Sequence, residues 1–167
     1  MVAVSKVSAV IDTPLLIVGG GPAALIIGTV VAGYSLGSLI VGHESLNSDE
    51  AVELDDEAIE LLKPHGVINV LRPYATSTEP FVITAALFEK VLKHHCVVNM
   101  NITLYDGMVL QDLMLDGDSA NCTISDGQTK WAIKADRLVD TTKLPIDLNG
   151  AIKEGSAIAR EILSRIN

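Results

Sequence analysis

The chain has 167 residues and a net charge of −9, and 49% of its residues are hydrophobic. This length is enough for one hydrophobic core, so we predict a single domain over residues 1–167. The acidic charge argues against nucleic acid or an anionic membrane as a partner, because either would require a basic face. The high apolar content predicts that apolar surface is covered in a homo-oligomer or by a partner subunit.

The cysteines and the first residues indicate the cellular compartment. Cys96 and Cys122 are far apart in sequence and form no C-x-x-C pair, so dithiol exchange is not expected. Residues 1–12 hold one lysine and a brief apolar run, which falls short of a signal peptide. We predict a cytoplasmic protein with reduced cysteines.

A glycine-rich turn follows the first apolar strand. The run from Leu15 to Val18 is typical of a buried parallel strand. The residues that follow, Gly19-Gly20-Gly21-Pro22-Ala23-Ala24, match the dinucleotide fingerprint G-x-G-x-x-G/A, and Pro22 suits the first turn of a helix. In this motif Gly19 permits a tight turn, Gly21 lets the main chain approach a pyrophosphate, and Ala24 lets the helix lie close to the strand. The amides at the helix start then bind the anion.

The residues that follow complete a predicted β-α-β unit. A second apolar run, from Ser38 to Val41, lies where the fingerprint expects a second strand. An acidic residue near the end of that strand holds a ribose hydroxyl, and Glu44, with His43 beside it, is the candidate. Glu44 comes slightly later after Gly19 than the usual spacing.

This segment has two other interpretations. The chain between Pro14 and Gly42 carries no charge, and an apolar stretch of that length is formally a candidate membrane span. Its many glycines would make a poor continuous helix and no basic flank follows, so we expect no membrane span. In the other interpretation, the glycines of the β-α-β unit only pack and bind nothing.

The rest of the chain predicts alternating helices and strands. In chain order we predict a helix at 54–63, a helix at 81–95 capped by Thr78 or Thr84, a third parallel strand at 96–98, a three-stranded antiparallel meander at 108–135, a return strand at 137–142 and a helix at 151–166. Asp-Gly pairs predict the turns of the meander. In the second of these helices we expect Leu87, Phe88 and Val91 to face inward. In the last helix the predicted core residues are Ile152, Gly155, Ala159, Ile162 and Ile166, and Glu161 is expected to pair with Arg165.

Two clusters of possible metal ligands have simpler explanations. Asp55, Asp56 and Glu57 stand at the predicted start of a helix, where acidic side chains match the helix dipole. His94 and His95 precede Cys96, but adjacent residues do not converge easily on one ion, so a helix C-terminus is favoured. We therefore predict no metal site.

The order of these parts resembles a known architecture. It is similar to the FAD-binding domain of the glutathione-reductase-like flavoproteins, which include thioredoxin-reductase-like and geranylgeranyl-reductase-like enzymes. The resemblance covers nearly the whole chain and rests on residues 16–24, 135–142 and 149–159. It implies an α/β fold, in which a Rossmann-like parallel sheet carries a three-stranded antiparallel β-meander crossover, and FAD as the cofactor, with NAD(P) as the alternative. The chain departs from the family pattern at Lys143, which replaces a glycine, and it has no inserted NAD(P)H domain.

The fingerprint and the resemblance together imply a set of cofactor contacts. The closing helix would point its N-terminus at the flavin and pyrophosphate, Asp147 would take the ribityl contact, and backbone near Val109 would contact the adenine. The candidate cofactor-binding residues are Gly19, Gly21, Pro22, Ala23, Ala24, His43, Glu44, Val109, Thr141, Thr142, Asp147, Asn149 and Gly150. No residue stands out as a catalytic acid, base or nucleophile.

Two classes of function follow from these predictions. The first is an FAD-dependent oxidoreductase, or the flavin-bearing part of one, in which the cofactor carries the redox chemistry. The second is a non-catalytic dinucleotide-binding module or a subunit of a larger flavoprotein complex. An NAD-binding dehydrogenase shares the fingerprint, but the predicted meander occupies the place of the second mononucleotide-binding half.

Overall fold

The computed structural model describes residues 7–19, 21–42, 48–144 and 147–166. Within these ranges the chain forms nine β-strands, five α-helices and two short 3-10 segments. The strands are β1 (Val7–Val18), β2 (Ser38–Gly42), β3 (Ala51–Glu53), β4 (Ser77–Thr78), β5 (Phe81–Thr84), β6 (Ile102–Asp106), β7 (Val109–Asp116), β8 (Ser119–Ser125) and β9 (Lys130–Asp140). The helices are α1 (Pro22–Ala32), α2 (Asp56–Leu62), α3 (Val67–Leu71), α4 (Ala85–Val97) and α5 (Leu148–Ile166).

A six-stranded sheet in the order β6-β2-β1-β9-β8-β7 forms the centre of the molecule. Strands β6, β2, β1 and β9 are parallel, whereas β8 and β7 continue the sheet in antiparallel pairing. Strand β7 comes back into contact with β2, so the sheet curls and the meander covers one face of the parallel strands. The predicted α/β fold class, with a parallel sheet and a meander crossover, is confirmed.

The core has two layers, one on each face of the parallel strands. Leu15 and Ile17 pack with the helices, whereas Leu16, between them in sequence, packs with the meander. Because successive side chains of a strand point to opposite faces, an uninterrupted apolar run is required wherever both faces are covered. All three side chains are 0% exposed.

Helix α1 is buried along its whole length. It packs against α4 and α5 and lies over β1, β2 and β6. This burial explains why α1 lacks charge, since an unpaired charge would be costly there. Among the described residues, no helix combines the length and apolar character that crossing a bilayer would require.

The region 81–98 differs from its prediction. Residues Phe81–Thr84 form β5, which pairs with β3 and β4 in a separate three-stranded sheet, and the helix begins only at Ala85. Of the two predicted caps, Thr84 is the one used, because its side chain accepts a hydrogen bond from the Leu87 N–H at 3.2 Å. Phe88 and Val91 are buried as predicted, whereas Leu87 is exposed.

The predicted third strand at 96–98 is wrong. Cys96 lies in the last turns of α4, where its Sγ is 3.4 Å from Thr29 Oγ1 of α1. Only Cys96 of this run is buried, against α1, whereas Val97 and Val98 are 58% and 65% exposed, so the run does not form a buried strand. The third parallel strand is β6, which pairs with β2.

The last part of the chain follows the prediction with two corrections. The meander's final strand and the predicted return strand at 137–142 are one continuous strand, β9, which ends at Asp140. Helix α5 begins at Leu148, its predicted inner residues are buried except Ile166, and that side chain is 46% exposed because it lies in the final turn. The predicted ion pair is confirmed, with Arg165 Nη2 at 2.7 Å from Glu161 Oε1.

Candidate functional site

The carboxyl ends of the parallel strands lie side by side. Val18 is in register with Val41 of β2 and with Asp140 of β9, and Gly42 is in register with Asp106 of β6. The chain passes from β1 to β2 and β6 on one side and returns through the meander to β9 on the other side. Such a reversal of strand order opens a crevice at the carboxyl ends, where open α/β sheets bind their ligands.

Gly19 and Thr141 meet at this crevice. The Gly19 backbone has φ of 127°, which glycine adopts readily and other residues do not. A Cβ at this position would collide with Thr141 Oγ1. The Gly19 N–H donates to Val41 O at 2.8 Å, and both the N–H and the hydroxyl of Thr141 donate to Val18 O, at 2.8 and 2.9 Å. Because the Gly19 amide is used within the protein, an anion here must find its donors at the start of α1.

The start of α1 has the features of an anion-binding site. Gly21 is the N-cap in extended conformation, with φ of −83° and ψ of −176°, and it provides no side-chain cap. Pro22 occupies the first turn, which contains no acidic side chain. The first-turn amides of a helix have no acceptor within the helix and lie at the positive end of its dipole. The predicted residues Ala23 and Ala24 are 5% and 0% exposed, so this end of α1 is held firmly against the sheet.

Two further glycines bring α1 close to its neighbours. A Cβ at Gly28 would lie 3.0 Å from Ile40 Cδ1 of β2. A Cβ at Gly155 of α5 would lie 3.0 Å from Ala23 O and 3.2 Å from Ile26 Cγ2. Gly155 therefore allows a close helix–helix contact that positions the first turn of α1.

The fingerprint does not include Gly28. Gly28 follows Gly21 by seven residues, which is two turns of helix, and therefore lies on the same side of α1. Small residues at 21, 24 and 28 have the spacing of one helix face. This spacing is the feature of the sequence from which the close contact at Gly28 could be predicted.

The residues predicted to contact the flavin end from α5 make hydrogen bonds within the chain. Asp147 Oδ2 accepts a hydrogen bond from the Gly150 N–H at 2.8 Å and so caps the start of α5. Asn149 Nδ2 donates to Glu53 O at 3.0 Å, and its Oδ1 accepts from the N–H of Asp55 at 3.0 Å. These bonds fix the N-terminus of α5 against the start of α2.

The end of β9 carries a hydroxyl–carboxylate turn. The N–H and Oγ1 of Thr142 both donate to Asp140 Oδ1, at 2.9 and 2.6 Å. The hydrogen bond from the Thr142 side chain, followed by that from its backbone, lowers the pKa of Asp140 below its ordinary value. Lys143 follows directly and is exposed, so the crevice has a cation beside this carboxylate.

The adenine end of the predicted site is described in part. Val109 is the first residue of β7 and is 58% exposed, and it follows β6 closely, at the same edge of the sheet as Gly42. His43 and Glu44 lie outside the described residues, as does Gly20 of the fingerprint. Among the described residues, no three His, Cys, Asp or Glu side chains come together in a way that could hold a metal ion.

Comparisons with known proteins identify the fold. No protein-family model and no curated protein matches the chain. The flavin-dependent monooxygenase PieE, solved in complex with FAD and substrate, superposes with a TM-score of 0.67 and 19% identity over 77% of this chain and 30% of PieE. The p-nitrophenol 4-monooxygenase PnpA from Pseudomonas putida DLL-E4 gives a TM-score of 0.63 and 14% identity, over 79% of this chain and 40% of PnpA. A flavoprotein/dehydrogenase from Cytophaga hutchinsonii gives 0.63 and 16%, over 78% and 39%.

These identities are low, so the comparisons establish the fold. The chain has the mostly parallel α/β fold found in part of flavin-dependent monooxygenases and related flavoproteins. It spans 30–40% of the length of these three proteins.

Proposed function

We propose that this chain binds FAD at the carboxyl edge of β2, β1 and β9 and serves as the flavin-bearing part of an oxidoreductase of the glutathione-reductase-like superfamily. The observation that carries the proposal is the start of α1, which lies at the reversal of strand order without a side-chain cap or an acidic residue. A pyrophosphate carries two negative charges, and this is the kind of site where oriented backbone amides hold them. The similarity in fold to a monooxygenase solved with FAD supports FAD over other dinucleotides.

The residues of the chain would divide the cofactor between them. Gly21, Ala23 and Ala24 would face the pyrophosphate, with Pro22 setting the first turn. Glu44 and His43 would hold the ribose, and backbone at Val109 would contact the adenine. The flavin end would lie near the end of β9 and the start of α5. The residues there are Thr141, Thr142, Asp147, Asn149 and Gly150. When bound, FAD would supply electron or hydride transfer. The chain would orient the cofactor and exclude water from one side of it.

NAD(P) is the less favoured ligand. Proteins that bind NAD across a doubly wound sheet use a second mononucleotide-binding half on the far side of the crevice. Here that side is formed by β9, β8 and β7, of which β8 and β7 are antiparallel. We therefore expect FAD to bind more tightly than NAD(P).

A non-catalytic FAD-binding module is the second candidate. Two observations favour it: the chain spans 30–40% of the length of the similar flavoproteins, and Asp147 already caps α5 through Gly150. In that case electron transfer would require a partner subunit. The cytoplasmic location and the oligomeric state remain predictions.

Substitution of Gly21 tests the site without straining the backbone. The extended conformation of Gly21 is open to any residue, and Asp or Asn at an N-cap stabilises a helix. The variant Gly21→Asp places a carboxylate where the pyrophosphate would bind, whereas Gly21→Asn places a side chain of the same shape without the charge. We expect both variants to keep the wild-type melting temperature or exceed it. We expect Gly21→Asp to lower FAD affinity at least about 100-fold, and Gly21→Asn to lower it less.

The measurement is a titration of the purified, nucleotide-free protein with FAD, followed by quenching of flavin fluorescence. Equal binding by wild type and Gly21→Asp would contradict the proposed site, as would failure of the wild type to bind FAD. If FAD binds, anaerobic titration with NADH, NADPH and dithionite separates the two candidates. Reduction by a nicotinamide supports the oxidoreductase, and reduction by dithionite alone supports the module.

A further inference from the structure

Strand β9 has a free edge over its last residues. It pairs with β1 up to Asp140, but its pairing with β8 ends at Ala135. Among the described residues, positions 136–140 therefore have a neighbouring strand on one side only. At about 3.3 Å per residue, this free edge is roughly 17 Å long, which is the length of an average strand.

The peptide groups along this edge are directed outward in alternation. The Thr141 N–H donates to Val18 O of β1, so Thr141 directs its N–H toward β1. In a parallel strand in continuous register the N–H and C=O groups alternate between the two sides, so Val139 faces β1, and Leu138 and Asp140 face away from it. Unpaired groups of this kind form a template for another strand.

The middle of the free edge, at residues 137–139, borders a cleft. A cavity of about 260 Å³ borders Leu138 and Val139 and is closed on one side by the turn between β7 and β8 and on the other by the second half of α5. Its apolar wall includes Leu115, which is 63% exposed, together with Ile158 and Ile162 of α5. An added strand would cover these side chains on both of its faces.

Charge around the cleft indicates the kind of strand that fits. The cleft and its edge carry acidic side chains at Asp118, Asp136, Asp140 and Glu161. The cations there are Arg165, which is paired with Glu161 at 2.7 Å, Arg137, whose Nη2 donates to Arg165 O at 3.4 Å, and Lys143, which lies beside Asp140. The acidic groups outnumber the cations, and the whole chain has a net charge of −9.

We propose that this cleft binds an extended segment of a separate polypeptide, which adds a strand to the free edge of β9. The segment would carry aliphatic residues at alternate positions, to cover Leu115 and Ile158, and basic residues at its ends, to match the acidic rim. A second copy of this chain is the less suitable occupant, because it would bring the same acidic rim against itself. The proposal does not depend on FAD binding, since the cleft lies along the outer edge of β9 and the second half of α5.

Backbone amide exchange tests the free edge directly. We expect the amides of Leu138 and Asp140 to exchange quickly in the isolated protein and that of Val139 to be protected. The probe is the peptide Lys-Val-Thr-Val-Thr-Val-Lys, and a second peptide with glutamate in place of both lysines tests the charge. At a basic-peptide concentration ten times its Kd, exchange at Leu138 and Asp140 should slow by about tenfold, and the acidic peptide should bind more weakly.

A pair of neighbouring substitutions tests the apolar wall. Leu115 and Met114 are adjacent on β7, and their side chains point to opposite faces of the sheet. Both are largely exposed, at 63% and 71%, so we expect lysine at either position to leave the fold intact. Leu115→Lys should weaken binding of the basic peptide by about tenfold, and Met114→Lys should leave it nearly unchanged.

Three results would overturn the proposal. One is that neither peptide slows exchange at Leu138 and Asp140. Another is that these two amides are already protected in the isolated protein. Protection at all protein concentrations would mean that the chain covers its own edge. Protection only at high protein concentration would mean that a second copy covers it. The third is that Leu115→Lys and Met114→Lys weaken peptide binding equally.

Discussion

The hydroxyl of Thr141 occupies the space that a side chain at Gly19 would need, and the same hydroxyl donates to Val18 O at 2.9 Å. This contact joins the ends of β1 and β9 at the reversal of strand order. The glycine therefore serves the packing of the sheet as well as the turn into α1. Position 19 must be glycine because of Thr141, which lies 122 positions later in the sequence.

A double-mutant cycle on this pair should show strong coupling. Gly19→Ala combines a collision with Thr141 Oγ1 and a φ of 127°, so we expect a loss of about 3 kcal/mol in the free energy of unfolding. Thr141→Ala alone loses a hydrogen bond and should cost about 1 kcal/mol. The double variant should lose about 1 kcal/mol less than the sum of the two single-variant losses, because the hydroxyl that collides with the new methyl group is absent. Urea denaturation measures the two single variants and the double variant. The control is Gly19→Ala/Thr142→Ala, whose losses should add. If the losses from Gly19→Ala and Thr141→Ala also add, the packing argument is contradicted.

Gly155 sets the distance between α1 and α5. In Gly155→Ala the new methyl group would lie 3.0 Å from Ala23 O, a backbone atom that cannot rotate away. The gain in helix propensity, about 1 kcal/mol, should be outweighed by overpacking, for a net loss of about 1 kcal/mol. Because Ala23 lies in the first turn of α1, FAD affinity should fall as well.

The matched control for Gly155 is Ala157→Gly, at an exposed position of the same helix. It should lower stability by about 1 kcal/mol through helix propensity alone and leave FAD affinity unchanged. Chemical denaturation and FAD titration measure both effects. A more stable Gly155→Ala protein would show that the helices can separate at little cost.

Acid should destabilise the link between α2 and α5. The hydrogen bond from Lys153, whose Nζ is 2.6 Å from Asp55 Oδ2, holds the pKa of Asp55 below its ordinary value. Since the folded pKa is lowered, the stabilisation is complete above the ordinary pKa of Asp55 and is lost as pH falls through the lower folded pKa. Asp55→Asn keeps an oxygen that can cap α2 through the Ala58 N–H but removes the charge.

We expect Asp55→Asn to be slightly less stable than wild type at neutral pH and to approach it as pH falls below about 4. Exposed Glu154→Gln, on the same helix, is the control and should not change the acid dependence. Thermal melts across this pH range give the comparison. A stability difference that stays constant down to low pH would mean that the Lys153 contact contributes nothing.

Cys96 should be unreactive in the folded protein. Burial raises the pKa of its thiol to about 11, and the side chain is 0% exposed. Since the thiolate is the reactive form, a disulfide-exchange reagent should modify Cys96 at least about 10³-fold more slowly than in the unfolded chain. Cys122→Ser isolates the signal of Cys96, because these are the two cysteines of the sequence. Rapid labelling without denaturant would show that α4 opens away from α1.

The errors in the predicted elements have physical causes. Residues 81–84 are rich in β-branched side chains, and their pairing with β3, distant in sequence, makes them a strand. The apolar residues at the end of α4 were predicted as a strand because a short apolar run has no period that separates strand from buried helix. The structure shows that Cys96 alone is buried, against α1, and that Val97 and Val98 are exposed, as at the end of a surface helix.

The candidate site could be predicted in its local part only. The strand, the turn glycines and the start of α1 follow from residues within one short segment, and their chemistry is backbone chemistry that depends on glycine and alanine. The roles of Asp147 and Asn149 were not visible in the same way. Both side chains find partners within the protein, and Asn149 bonds to Glu53 and Asp55, which lie far away in sequence.

The sequence alone determined the β-α-β unit, the meander and the closing helix, because hydrophobic period, glycine position and Asp-Gly turns act over a few neighbouring residues. The tertiary structure alone decided that Gly19 is required by Thr141, that Gly155 serves a helix contact, and that the last part of β9 has an open edge. Each of these depends on which segments become neighbours in space. That choice is made by the burial of the whole core, and a local pattern does not contain it.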